Sequence, residues 1–107
     1  MTPDLITAAL ANPATWQHAD PAYAGDPCDA YREPTVYADA PDLWCGIAIT
    51  IRPHGLAYDL EATYTAPRPG RPLSRFAATF TEYQTARDFA ETWLTNIHAS
   101  LSEEVSS

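Results

Sequence analysis

The chain has 107 residues, of which 46% are hydrophobic and 19% are charged, as in ordinary globular proteins. It contains 14 acidic residues and six basic ones, all of them arginine, and this lysine-free balance gives a formal net charge of −8. Such an excess of negative charge excludes the usual basis of direct nucleic-acid or anionic-membrane binding, which is a positive surface.

The first predicted element is a short helix over residues 3–11. Thr2 is a favourable cap, and Pro3 suits the first helical position. No basic region of a signal peptide precedes this helix, and no apolar run approaches the roughly 20 residues that span a bilayer. We therefore expect a cytoplasmic protein folded as a single domain over residues 1–107.

Residues 13–42 are predicted to form a long arm rich in proline, tyrosine and acidic residues. Five prolines interrupt the segment, so neither a helix nor a long strand is expected. Its aromatic residues can pack, which favours an ordered arm that lies over the rest of the domain. Residues 1–42 contain seven acids and one arginine, so this part of the chain carries most of the net negative charge.

The clearest pattern begins at Leu43. Residues 43–52 and 56–66 are rich in β-branched and aromatic side chains that alternate with period two, which predicts two strands. The sequence Arg-Pro-His-Gly, which begins at Arg52 where the first of these strands ends, is typical of a four-residue turn, which would pair Ile51 with Leu56. In this register every apolar side chain of the hairpin lies on one face.

A third strand is predicted over residues 73–81, with Leu60 opposite Phe80. A helix over 82–102 follows, because its apolar residues recur at helical spacing. The predicted fold class is therefore α+β: a three-stranded antiparallel meander packed under a long C-terminal helix, with the N-terminal helix and the arm beside it. The opposite face of the sheet carries the small residues Gly46, Ala48, Ala57 and Ala77, and we expect the arm and the N-terminal helix to cover part of it.

Asp59 and Glu61 raise the question of a catalytic pair, since residues two apart on a strand share a face. Acid catalysis would require one carboxyl group with a raised pKa and a proton-relay partner. The predicted registers place no histidine on this face, so a solvated sheet surface is the preferred interpretation and no catalytic residue is assigned.

The leading functional hypothesis is a non-catalytic protein-binding module that docks onto a basic partner surface. An inhibitor of host nucleic-acid machinery, of the anti-restriction or anti-CRISPR type encoded by mobile elements, would have this character. Carboxylates and tyrosines of the arm are the candidate contacts: Asp20, Tyr23, Asp26, Asp29, Tyr31, Glu33, Tyr37, Asp39 and Asp42.

The alternative is a small-molecule-binding domain or small enzyme with a pocket between the arm and the polar sheet face. Trp44, Asp59 and Glu61 would line that pocket. A second candidate contact is the proline-rich loop that carries Arg68 and Arg71 and leads to Arg75, which suits an anion or pairs with the acidic arm. A homodimer formed through sheet faces or edge strands is compatible with either function.

No metal site or cofactor is expected. Cys28 and Cys45 have no common zinc-ligand spacing and are read as reduced thiols. No dinucleotide, phosphate-loop or hydrolase motif occurs in the chain.

Overall fold

The computed structural model describes residues 5–20, 26–34, 46–65 and 74–106. These residues form an antiparallel sheet of five strands, in the order β1 to β5 along the chain, and two helices. Their bounds are α1 Leu5–Ala11, β1 Gln17–His18, β2 Asp29–Pro34, β3 Gly46–His54, β4 Ala57–Thr65, β5 Ser74–Phe80 and α2 Tyr83–Ser106. The α+β class is confirmed, whereas the prediction of three strands is wrong.

The additional strands β1 and β2 lie in the segment that was predicted to be an irregular arm. β2 pairs antiparallel with β3, so that Tyr31 lies opposite Ile49, and β1 pairs with the other edge of β2. Prolines did not prevent this because Pro34 is the last residue of β2, and a strand end tolerates proline. The sheet is therefore wider than the alternation of apolar residues indicates.

The hairpin of β3 and β4 is confirmed, but its register differs from the predicted one by four residues. Ile51 lies opposite Leu60 rather than Leu56, and the strands continue until His54 lies opposite Ala57. A two-residue turn then replaces the predicted four-residue turn. Because four is an even number, the shift leaves every side chain on the face where it was predicted.

The conformation of Gly55 explains the tight turn. Its φ angle is +63°, in the left-handed region, and two-residue hairpins favour glycine at such a position. A side chain there would have room, since a Cβ atom would find nothing within 4 Å. Any effect of replacing Gly55 therefore reports the backbone conformation rather than a clash.

We expect Gly55→Ala to lower the free energy of unfolding by about 1–2 kcal/mol, which is the strain of a left-handed alanine. Chemical denaturation would measure it, with Leu56→Ala in the same turn as the control, because Leu56 is 98% exposed. Equal stability of Gly55→Ala and the wild type would contradict the role assigned to this backbone position.

The pairing of β4 with β5 shows the same kind of difference. Ala62 lies opposite Phe76 and Tyr58 opposite Phe80, a shift of two residues from the predicted register. This shift is also even, so Phe76 and Phe80 keep the predicted face and pack partly buried against the core.

The core lies between this face of the sheet and α2. Its buried members are mainly isoleucines of β3, two residues of β4 and two alanines of α2: Ile47, Ile49, Ile51, Leu60, Ala62, Ala86 and Ala90. The alanines let the helix approach the strands closely. No helix of the described residues is long and apolar enough to cross a membrane.

Helix α1 contacts β1 and β2. Ala9 of this helix and Ala30 of β2 are both completely buried. Since Ala30 projects to the opposite side of the sheet from Tyr31, we infer that α1 covers this edge of the face away from α2. The helix thus lies on the expected side of the sheet, but it contacts β1 and β2 rather than the small residues of β3, β4 and β5 that it was expected to cover.

Candidate functional site

A buried carboxylate joins three elements on the α2 side of the sheet. Asp29 of β2 is completely buried, and its carboxylate accepts hydrogen bonds from Tyr83 Oη at 2.5 Å and Arg87 Nη1 at 2.8 Å. His18 Nδ1 of β1 lies 2.5 Å from the other carboxylate oxygen. These four side chains are called the Asp29 cluster.

The partners of Asp29 compensate for the removal of its charge from water. An ionised carboxylate is stable inside a protein only when it is paired and hydrogen-bonded. The side chain of Arg87 is 21% exposed, and its guanidinium lies 3.9 Å from the ring centroid of Trp16, a cation–π geometry. The Asp29 cluster therefore connects β1, β2 and α2 through one carboxylate.

The tyrosine of the Asp29 cluster is a hydrogen-bond donor. Burial, together with the hydrogen bond to Asp29, raises the pKa of Tyr83 to about 12, so this phenol stays neutral and acts as a donor. A histidine held by a buried carboxylate, as His18 is by Asp29, also occurs in catalytic triads, where the histidine in addition faces a nucleophile. Among the described side chains, the hydrogen-bond partner of His18 is Asp29.

A second carboxylate of β2 also faces α2. Glu33 accepts a hydrogen bond from Tyr31 Oη at 2.8 Å and lies 2.7 Å from Nε2 of His98 on the helix. Burial, followed by this contact with Glu33, raises the pKa of Tyr31 above its ordinary value. Asp29, Tyr31 and Glu33 thus make internal contacts.

The other predicted partner contacts are distributed differently. Asp20 is exposed and Asp26 is half-buried. The remaining candidates lie outside the described residues: Tyr23, Tyr37, Asp39 and Asp42. The structure therefore does not assemble the predicted acidic set into one exposed surface among the residues that it describes.

The outer side of α2 carries exposed acids. Glu82, which directly precedes the helix, and Asp88 and Glu91 within it are exposed. Gln84 Nε2 donates to Asp88 at 2.9 Å, and Glu91 lies 3.3 Å from Nε of Arg87. A shallow concavity of about 380 Å³ runs along the helix here, lined by Asp88, Glu91, Thr92, Thr95 and Asn96. We call Glu82, Asp88 and Glu91 the α2 acids.

Asp59 and Glu61 lie together on the face of the sheet away from α2, as predicted. Asp59 accepts a hydrogen bond from Thr79 Oγ1 at 2.8 Å and lies 3.1 Å from His54 Nδ1. Glu61 lies 3.6 Å from an Nη atom of Arg75. The two acids thus have different partners, and both are about half exposed, which does not indicate a catalytic pair.

The expectation that no histidine lies on this face is wrong. The register shift of the hairpin extends β3 to His54 and brings its ring beside Asp59. His54 and Asp59 lie near the turn of the hairpin, where the histidine side chain is 77% exposed.

A concavity of about 240 Å³ lies on this same face, lined by Arg32, Ala48, Thr50, Arg52, Glu61 and Thr63. Burial, and then the charge of Arg52, lowers the pKa of Arg32, so the two guanidinium groups are close enough to repel each other. We call this concavity the arginine pocket.

The arginine pocket differs from the predicted pocket in its residues. Glu61 lines it, Asp59 lies farther along β4, and Trp44 is outside the described residues. Of the three arginines predicted to contact an anion, Arg75 pairs with Glu61, whereas the other two, Arg68 and Arg71, are also outside the described residues.

Sequence reasoning missed Arg32 and Arg52. Arg32 was assigned to an irregular arm, and Arg52 to a turn, so neither had a predicted face. Side chains alternate between the two faces along β2 and β3, and this alternation places Arg32 and Arg52 on one face. It can be used only when the two strands are known to pair.

No group of three histidine, cysteine or acidic side chains suited to a metal ion occurs in residues 5–20, 26–34, 46–65 and 74–106. Cys28 is a buried free thiol, and burial raises its pKa, as expected of an unreactive cysteine. Cys45 lies outside the described residues. The chain matches no protein-family model, no curated protein and no solved structure.

Proposed function

We propose that this chain is a non-catalytic binding protein that docks onto a basic surface of another protein. The observation that supports this most directly is the charge arrangement of α2. Its single arginine, Arg87, contacts Asp29 through Nη1 and lies 3.3 Å from Glu91 through Nε, so one arginine faces three exposed acids and the solvent side of the helix keeps a negative formal charge. A basic partner would be attracted to this side over a distance of about one Debye length.

The partner class that fits best is a protein with an arginine- or lysine-rich groove. Such grooves hold the phosphate backbone of nucleic acids, and spaced carboxylates compete for the same cations. An inhibitor of nucleic-acid machinery, of the anti-restriction or anti-CRISPR type, would act in this way. The net charge of −8 is consistent with this role.

Neutralising the α2 acids tests the proposal. Proteins captured from a host lysate would be identified, and the association rate of the purified partner measured with the triple variant Glu82→Gln/Asp88→Asn/Glu91→Gln. We expect this rate to fall by about tenfold or more, and the wild-type rate to fall with added salt.

The matched control is Glu61→Gln, which neutralises an exposed acid on the opposite side of the sheet. It should leave the association rate nearly unchanged. Capture of partners that are not basic, or an equal rate for the triple variant and the wild type, would contradict docking through α2.

A second candidate function is small-molecule binding, which the arginine pocket favours. Ligand sites are concave and combine a few convergent polar groups, and the pocket has both properties. The pocket lies on the face away from α2, so the two functions use separate surfaces.

A further inference from the structure

We propose that the arginine pocket binds the oxyanion group of a small molecule between Arg32 and Arg52. This inference rests on the second candidate function, to which it assigns a ligand class, and it is independent of docking through the α2 acids. It commits to a phosphate or carboxylate group as the recognised chemistry.

The sheet register explains how the pocket forms. Arg32 of β2, Ala48 of β3 and Thr63 of β4 lie in one row across three strands. The small side chain of Ala48 leaves a depression in the middle of this row. Arg52 stands four residues farther along β3 on the same face, so the two arginines lie on either side of the depression.

Hydroxyl groups complete the lining. Thr50 lies between Ala48 and Arg52 on the same face of β3, and Thr63 lies opposite Ala48. A hydroxyl can donate to an anionic oxygen, and a guanidinium carries five N–H donors in a planar fork that matches carboxylate and phosphate.

The electrostatic arrangement also favours an anion. Two guanidinium groups that share one concavity repel each other, and a negative group between them would replace this repulsion with attraction. Glu61 is the acidic residue in the lining, and Arg75 lies 3.6 Å from its carboxylate on the side away from β3. The formal charge of the lining is positive.

Titration with inorganic phosphate and, separately, malonate at constant ionic strength would test the proposal, with binding followed by NMR. We expect saturable binding of at least one anion, with shifts concentrated on β2 and β3. Arg52→Gln should weaken it by at least about tenfold, as expected when hydrogen bonds to a charged group are lost. Arg52→Lys should give an intermediate affinity, because it keeps the charge and loses the planar fork.

The matched control is Arg75→Gln, which removes an arginine from the same face outside the pocket. It should keep the affinity within about threefold, since Arg75 affects the pocket only through its exposed ion pair with Glu61, and such pairs contribute little. Equal losses for Arg75→Gln and Arg52→Gln, or no saturable binding of either anion to the folded wild type, would overturn the proposal. The triple variant of the α2 acids should bind the anion normally, so the failure of either proposal can be distinguished from the failure of the other.

Discussion

Replacing Asp29 with alanine is expected to lower the free energy of unfolding by about 3–5 kcal/mol. The substitution removes the carboxylate that holds Arg87, Tyr83 and His18, and it leaves the largely buried arginine with only the half-exposed Glu91 as a charge partner. A small domain has only about 5–15 kcal/mol of stability, so this loss would be a large part of the total. Urea denaturation followed by circular dichroism would measure it.

Asp59→Ala is the matched control for this prediction. Asp59 is also an aspartate of the sheet paired with a histidine, but its side chain is 43% exposed, so the expected loss is about 0–1 kcal/mol. Similar losses in the two variants would contradict the structural importance of burial at Asp29. Combining Asp29→Ala with Arg87→Met should restore part of the stability, because the buried arginine charge is then removed.

Leu60→Ala should be comparably destabilising, by about 2–5 kcal/mol. Leu60 of β4 is 1% exposed and lies in the core between the sheet and α2. Its truncation therefore leaves a cavity in addition to the lost burial of apolar surface. Thermal and chemical denaturation would both report the change.

Leu56→Ala provides a control with the same chemical change. Leu56 is 98% exposed at the hairpin turn, so its truncation should alter the free energy of unfolding by less than about 0.5 kcal/mol. A loss at position 56 as large as that at position 60 would mean that the hairpin register described above is incorrect, because that register puts Leu60 in the core opposite Ile51.

The sequence predicted which faces of β3, β4 and β5 are apolar, but not how the strands align. Alternation with period two determines the face of each residue, and any even shift preserves it. Ile51 therefore faces the core whether it is paired with Leu56 or with Leu60. The sequence pattern did not show the length of the turn. Pro53 indicated a four-residue turn, whereas the conformation of Gly55 permits a turn of two residues.

The strand β2 could not be predicted from hydrophobic alternation because its core-facing residues include two acids. Asp29 and Glu33 are polar in the sequence, and their inward position depends on an arginine, a tyrosine and two histidines supplied by β1 and α2. These partners are far away along the chain. The arginine pocket was missed for the same reason, since Arg32 can be assigned to a face of the sheet only when β2 is recognised as a strand.

The sequential order of the strands has a consequence for how the molecule assembles. Each strand pairs with its neighbour along the chain, so the shortest connection, the hairpin of β3 and β4, loses little entropy on closing. By contrast, the bonds from Asp29 to Tyr83 and Arg87 join residues 54 and 58 positions apart. Contacts between residues so far apart in the sequence stabilise the fold only after a long loop has closed. The sheet is therefore expected to form progressively by local pairing, with the helix docking onto the buried carboxylate near the end of folding.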